Sequence, residues 1–328
     1  MRQTLPAYVV RPAESVHLQP YACLDTRLYG FFLRGDAGTM QSRLVDPILN
    51  APTGGATDYR VLGDLVLVSY ALAGKGTSTL SPDSGIGWVP ENSLTLWIPL
   101  VAVEIELGIP VAQRMVMYPA YICVDNSWSL AAGREVYGFP KGYGPIELPA
   151  AGAPPLHFAA STLVMKVYGP DNEGVVAPLF SVDRTAEGTE AQAIWTDLGD
   201  AIAALVGIVS GSGGAFIVPG LNFAKDLLAL ARAKEVPGVF LKQFRDAADG
   251  TKACYQAVVE AGSFVTAFRT GGVLPGTFQA TVADYASHPL ASDLGIAPGA
   301  APLEMAFFAD FDFTIGEGSV IWEAGTNG

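Results

Sequence analysis

The residues best suited to chemistry lie in the stretch 133–144, G-R-E-V-Y-G-F-P-K-G-Y-G, where Lys141 follows a proline among glycines and aromatics. Glycine lets a backbone bend tightly and approach closely, and Pro140 fixes its own φ and removes a donor. Tyr137, Phe139 and Tyr143 bring apolar bulk to either side of the lysine. A lysine amine is ordinarily protonated at neutral pH, with a reference pKa of about 10.4. Desolvation disfavours the charged form and lowers that value by up to ~3–5 units. An amine freed of its proton attacks a ketone and forms a Schiff base. The residues alone leave a second reading open, a solvated charge on a Gly/Pro surface loop.

The stretch G-R-E-V-Y-G-F-P-K-G resembles the active-site segment of the acetoacetate decarboxylase family, which reads G-R-E followed by an aromatic, Pro, Lys and Lys. Other segments resemble that family in the same order: D-T-R-L-Y-G-F-F-L-R-G-D, G-I-G-W-V-P-E, V-F-L-K-Q-F-R-D-A-A-D-G-T-K-A-C-Y-Q-A-V-V and F-R-T-G-G-V-L-P-G-T-F-Q. The likeness covers roughly residues 20–180 and 237–325. It implies an α+β fold of predominantly antiparallel strands curled into a barrel, assembled as a homo-oligomer and needing no cofactor.

The resemblance also assigns roles. Lys141 would be the Schiff-base residue, Glu91 would move a proton or orient a carboxyl group, and Arg27 would hold Glu91 or the substrate carboxylate. Ser69 takes the position of a second family glutamate and, with Phe139 and Tyr137, is expected against the substrate. The implied reaction is decarboxylation of a β-keto acid through an imine and an enamine. Aldol condensation or dehydration of pyruvate or another keto acid uses the same lysine, and a non-catalytic small-molecule-binding member of the fold is a third reading. The chain departs from the family in having Gly142 after Lys141, so no second ammonium adjoins the amine.

These side chains must be positioned by strands. L-Y-G-F-F-L at 28–33, the apolar run 61–72, and the segments 94–103 and 115–124 read as strands, the second buried on both faces. Residues 39–49 have helix-compatible spacing, and the segments 163–168 and 175–182 flank the turn G-P-D-N-E-G. Residues 189–234 change character: I-W-T-D-L-G-D-A-I-A-A-L-V-G-I-V and L-N-F-A-K-D-L-L-A-L-A-R-A repeat apolar residues at helical spacing around G-S-G-G. A helical insertion into a single domain spanning 1–328 is expected there. Its first run is too short and too acidic for a membrane span, and G-S-G-G lacks the Lys-Ser/Thr of a phosphate loop. From 239 the strand pattern returns and closes with 303–313, where Asp310 and Asp312 share one face and are expected as solvated edge carboxylates. Arg134 and Glu135 are expected to pair and support the lysine loop.

Composition bounds the partners. Half the 328 residues are apolar and 16% are charged, enough for a large core. A net charge of −13 disfavours nucleic acid, which needs basic stripes, and anionic membrane surfaces. A small-molecule keto acid as the ligand is what the resemblance implies. Cys23, Cys123 and Cys254 are too scattered for a disulfide framework or a metal knuckle, and His17, His157 and His288 form no ligand cluster, so no metal is expected. The absence of an apolar leader and the free cysteines lead us to expect a cytoplasmic protein.

Overall fold

The computed structural model describes residues 5–11, 17–188, 193–211 and 233–325. The apolar runs and alternations become strands β1 (Tyr21–Arg34), β2 (Tyr59–Val61), β3 (Leu65–Ser78), β4 (Val89–Glu106), β5 (Ile109–Val124), β6 (Lys141–Tyr143), β7 (Ile146–Glu147) and β8 (His157–Val164). They continue as β9 (Val175–Ala186), β10 (Ile194–Trp195), β11 (Glu235–Arg245), β12 (Ala253–Val273), β13 (Thr277–Val282), β14 (Gly299–Ile315) and β15 (Ser319–Glu323). Helices α1 (Ala37–Met40), α2 (Ser127–Ala132), α3 (Leu198–Gly211) and α4 (Leu290–Leu294) lie between them.

Strands β12, β11, β5, β4, β3, β1 and β14 pair in that order, and β14 returns to β12, so they form a ring. It is not a regular barrel, because β11 meets β5 through one parallel pair, Gly238 with Met117, while the other steps are antiparallel ladders. Strand β14 serves two sheets. Its stretch 303–315 completes the ring against β1, and its stretch 299–302 pairs with β13, which leads on to β9, β8 and β7.

Within the ring, β1 and β3 carry runs buried on both faces, at 30–33 and 65–70, which is why they read as nearly continuous apolar runs. Tyr29, Phe31 and Tyr70 pack outward onto Phe158 of the second sheet, with ring centroids 4.9–5.4 Å apart. Tyr70 donates its hydroxyl to the Phe180 carbonyl at 2.8 Å, so its polar end is satisfied within that core. On the inner side, Phe32, Leu65, Trp195 and Phe307 form a buried cluster of their own.

Two expectations are corrected in detail. The helix read over 39–49 starts as α1 and continues through Gln41–Asn50 as a wider coil with Pro47 inside it. Ile194 and Trp195, read as the start of a helical run, instead form β10 against Gly271 and Gly272, and helix begins only at Leu198. Residues 189–192 and 212–232 of the expected insertion lie outside the described residues. No helix among the described residues is long and apolar enough to cross a membrane.

Candidate active site

The ring encloses a cavity of about 290 Å³. Strand alternation supplies its walls: Leu67, Ser69 and Ala71 from β3, Glu91, Ser93, Thr95 and Trp97 from β4, and Phe311, Phe313 and Ile315 from β14. Strand β1 breaks this rule. Tyr21 and Cys23 face inward, then Thr26 and Leu28 do, because Asp25 sits at φ 52° where the ladder to β14 shifts by one residue.

That shift corrects the expectation for Arg27. Its side chain is absent from the cavity wall and reaches Asp310 through Nε at 2.6 Å and Nη2 at 2.5 Å. The guanidinium also lies 5.6 Å from the Phe308 ring centroid. Asp310 and Asp312, expected as solvated edge carboxylates, are instead paired with Arg27 and Arg269.

Lys141 is placed by the segment before it. Asn126 caps α2, accepting from the backbone of Trp128 at 2.8 Å and of Ser129 at 3.1 Å. The chain then widens through Gly133–Tyr137 and turns at Gly138, where φ is 91° and an added Cβ would lie 2.6 Å from the Lys242 backbone. Only glycine combines that conformation with that approach. Lys141 then opens β6, in parallel register with Ile122 of β5. Arg134 and Glu135 brace this loop through separate partners: Arg134 donates to the Lys141 carbonyl at 3.3 Å, and Glu135 accepts from the Tyr8 hydroxyl at 2.7 Å.

The Lys141 amine donates to the Ser129 hydroxyl and lies 3.6 Å from Glu91 Oε2 and 5.6 Å from the Phe139 ring centroid. The lysine side chain is 12% exposed and that of Glu91 19%. Phe139 is held 4.2 Å from Phe240, and Tyr137 donates its hydroxyl to the Gly316 carbonyl at 2.8 Å. Ser69 is buried and accepts from Trp97 Nε1 at 2.9 Å. The structure thus brings Lys141, Glu91, Ser69, Phe139 and Tyr137 to one cavity and leaves Arg27 outside it.

Sequence reasoning missed Ser129, Cys23, Trp97 and His17, which share the cavity. For Ser129 a signal existed: Asn126 is a strong N-cap residue and fixes where α2 starts. Burial, then the charge of Glu91, pushes the Cys23 thiol up, and Lys141 opposes the shift. Burial followed by Cys23 and Glu91 likewise raises the Tyr21 hydroxyl. Both are therefore neutral polar groups at neutral pH, and Cys23 is no thiolate nucleophile. Among the described residues no group of three or more His, Cys, Asp or Glu is placed to hold a metal. An amine, a carboxylate and a hydroxyl in an otherwise mostly apolar chamber are the parts that imine chemistry requires.

Residues 52–164 match the family model described as acetoacetate decarboxylase. No curated protein matches the chain. Among solved structures, acetoacetate decarboxylase from Legionella pneumophila is similar at 13% identity and a TM-score of 0.58, over 99% of this chain and 94% of that one. An acetoacetate decarboxylase-like enzyme from Sphingomonas wittichii RW1 is similar at 17% identity and a TM-score of 0.55, over 96% and 98%. The enduracididine biosynthesis enzyme MppR complexed with pyruvate is similar at 15% identity and a TM-score of 0.52, over 95% and 93%. These likenesses establish the fold.

Proposed function

We propose that the chain is a Schiff-base-forming lyase of the acetoacetate decarboxylase family that decarboxylates a β-keto acid through Lys141, a reading supported by the match of residues 52–164 to that family model. The observation that carries this reading is the Lys141 amine, 3.6 Å from Glu91 and hydrogen-bonded to Ser129 inside the ring cavity. In its unprotonated form the amine adds to the ketone carbon. Loss of water gives a protonated imine. The bond to the carboxyl carbon then breaks, its electron pair moves to the imine nitrogen, and CO₂ and an enamine result. Glu91 is the group placed to return a proton to the enamine carbon, after which water releases the ketone and restores the amine.

Aldol chemistry on pyruvate is the second reading, motivated by the likeness to MppR complexed with pyruvate. Decarboxylation is preferred for an electrostatic reason. Pyruvate keeps its negative charge in the chamber throughout, and Lys141 is the only Lys or Arg among the described residues lining the cavity. A β-keto acid loses its charge as CO₂, which an apolar wall favours. The partial burial of Lys141 argues against the non-catalytic reading, which predicts an exposed ammonium.

Borohydride trapping with acetoacetate and with pyruvate in separate incubations, followed by peptide mapping, tests the reading. A reduced adduct on Lys141 that is missing from Lys141→Ala supports it, and CO₂ release chooses between the two reactions. An exposed, fully reactive Lys141 amine without any adduct would sink it.

A further inference from the structure

We infer that His17 is a substrate-binding residue whose Nε2 holds the carboxylate of the β-keto acid until CO₂ leaves, an assignment that rests on the decarboxylase reading above. His17 is 6% exposed, and its Nε2 is fully buried with no hydrogen-bond partner among the described residues. Buried polar atoms are nearly always paired, so each exception asks for an explanation. Such atoms also occur at Asp64, Asn92 and Arg184, but of these residues His17 alone lines the ring cavity.

It shares that cavity with Lys141, Glu91 and Ser129. The imidazole packs 5.5 Å from the Trp128 ring and 5.7 Å from the Tyr21 ring. Trp128 adjoins Ser129, which binds the Lys141 amine, and Tyr21 lines the same cavity as Glu91. The substrate brings two polar ends into this chamber. The ketone is taken by Lys141, and the carboxylate needs a donor that is neither Glu91 nor the outward-facing Arg27. An imidazole N–H fits this need, since it orients a carboxylate without requiring a full positive charge. Holding the carboxylate sets the breaking bond against the imine, and no proton moves at His17 in that step.

The test compares wild type, His17→Phe and His17→Gln. Initial rates of CO₂ release from 3-oxohexanoate report on the acid. Borohydride trapping of 2-pentanone, which forms the imine without a carboxylate, reports on Lys141 alone. The assignment expects His17→Phe to raise KM for the acid by about tenfold or more, as loss of a charged hydrogen bond does. It expects 2-pentanone trapping to stay at the wild-type level, and His17→Gln, whose amide reaches the Nε2 position, to restore KM. Should His17→Phe melt below the assay temperature, His17→Asn, whose amide stops short, reads the same KM. An unchanged KM, or an equal loss of 2-pentanone trapping, overturns the assignment while leaving the Schiff-base reading intact. Wild type that traps 2-pentanone but releases no CO₂ overturns the assignment together with decarboxylation. Wild type that traps neither removes the Schiff-base reading and the assignment with it.

Discussion

Gly133 makes room for Lys141: a Cβ built on Gly133 would lie 3.0 Å from Cδ and Cε of the lysine and 3.3 Å from Nζ. Gly133 has helical dihedrals, φ −63° and ψ −43°, so its backbone does not require glycine. Glycine inside a helix costs about 0.5–1 kcal/mol relative to alanine. The missing side chain therefore serves the amine rather than the turn. Gly133→Ala is expected to melt at or above the wild-type temperature, because the clash falls on the movable end of a side chain. It is expected to lose about tenfold or more in kcat as Nζ is pushed off Ser129 and Glu91. Calorimetry and steady-state kinetics on one preparation check this, and equal losses of stability and activity would contradict it.

The Arg27 finding makes the opposite prediction. Arg27→Ala removes an ion pair with Asp310 and a contact with Phe308, neither of which faces the cavity. A loss of about 1 kcal/mol or less is expected for a pair whose arginine side chain is 40% exposed. Turnover should stay within about threefold of wild type, since no interaction with the reacting atoms is lost. A fall in kcat of about a hundredfold with the melting temperature preserved would return Arg27 to the site.

Arg27 also marks how far the sequence was legible. The strands were readable because long alternating or continuous apolar runs leave few other structures, and β1 and β3 carry runs buried on both faces at 30–33 and 65–70. The Lys141 loop was readable because Gly138 and Pro140 act locally. Residue facing along β1 was not readable, since it depends on Asp25 at φ 52° and on a register shift against β14, distant in sequence. Strict alternation from Cys23 would have put Arg27 inside. Ser129 and His17 reach the amine's surroundings only when α2 and the N-terminal segment dock on the ring, and no local pattern encodes that docking. The strand at Ile194–Trp195 was hidden for a related reason: Trp195 is buried with Phe32 and Phe307, a tertiary demand that overrides the helical spacing around it.

The cavity walls predict a preference for an apolar tail. Leu28, Leu67, Met117, Val265, Phe311 and Phe313 line a space of about 290 Å³, larger than a methyl ketone with one further carboxymethyl group fills. Burying a methylene is worth about 0.8 kcal/mol, which is about a fourfold gain in kcat/KM per added carbon. From acetoacetate to 3-oxohexanoate, kcat/KM should rise by about tenfold or more if both added methylenes are buried. Met117→Trp, which fills the space, should reverse the order of the two substrates. A rate that falls steadily with chain length in wild type would place the tail elsewhere.

The cysteines give a pH prediction that is independent of substrate. Cys23 and Cys123 are buried and Cys254 is exposed. Iodoacetamide at pH 8 should therefore label Cys254 in the native protein, and all of them only after denaturation. Burial pushes the Cys123 thiol from its ordinary 9.0 up to about 11. The folded chain therefore holds this proton more tightly than the unfolded chain. Its contribution to stability is complete below pH 9 and is lost as pH rises through 11. Urea midpoints of wild type and Cys123→Ala, measured at half-unit steps from pH 8 to 11.5, separate this effect from other titrations. The wild type should lose roughly 2–3 kcal/mol more than the variant across that window. Parallel pH profiles would show that the unfolded chain holds the Cys123 proton as tightly as the folded one.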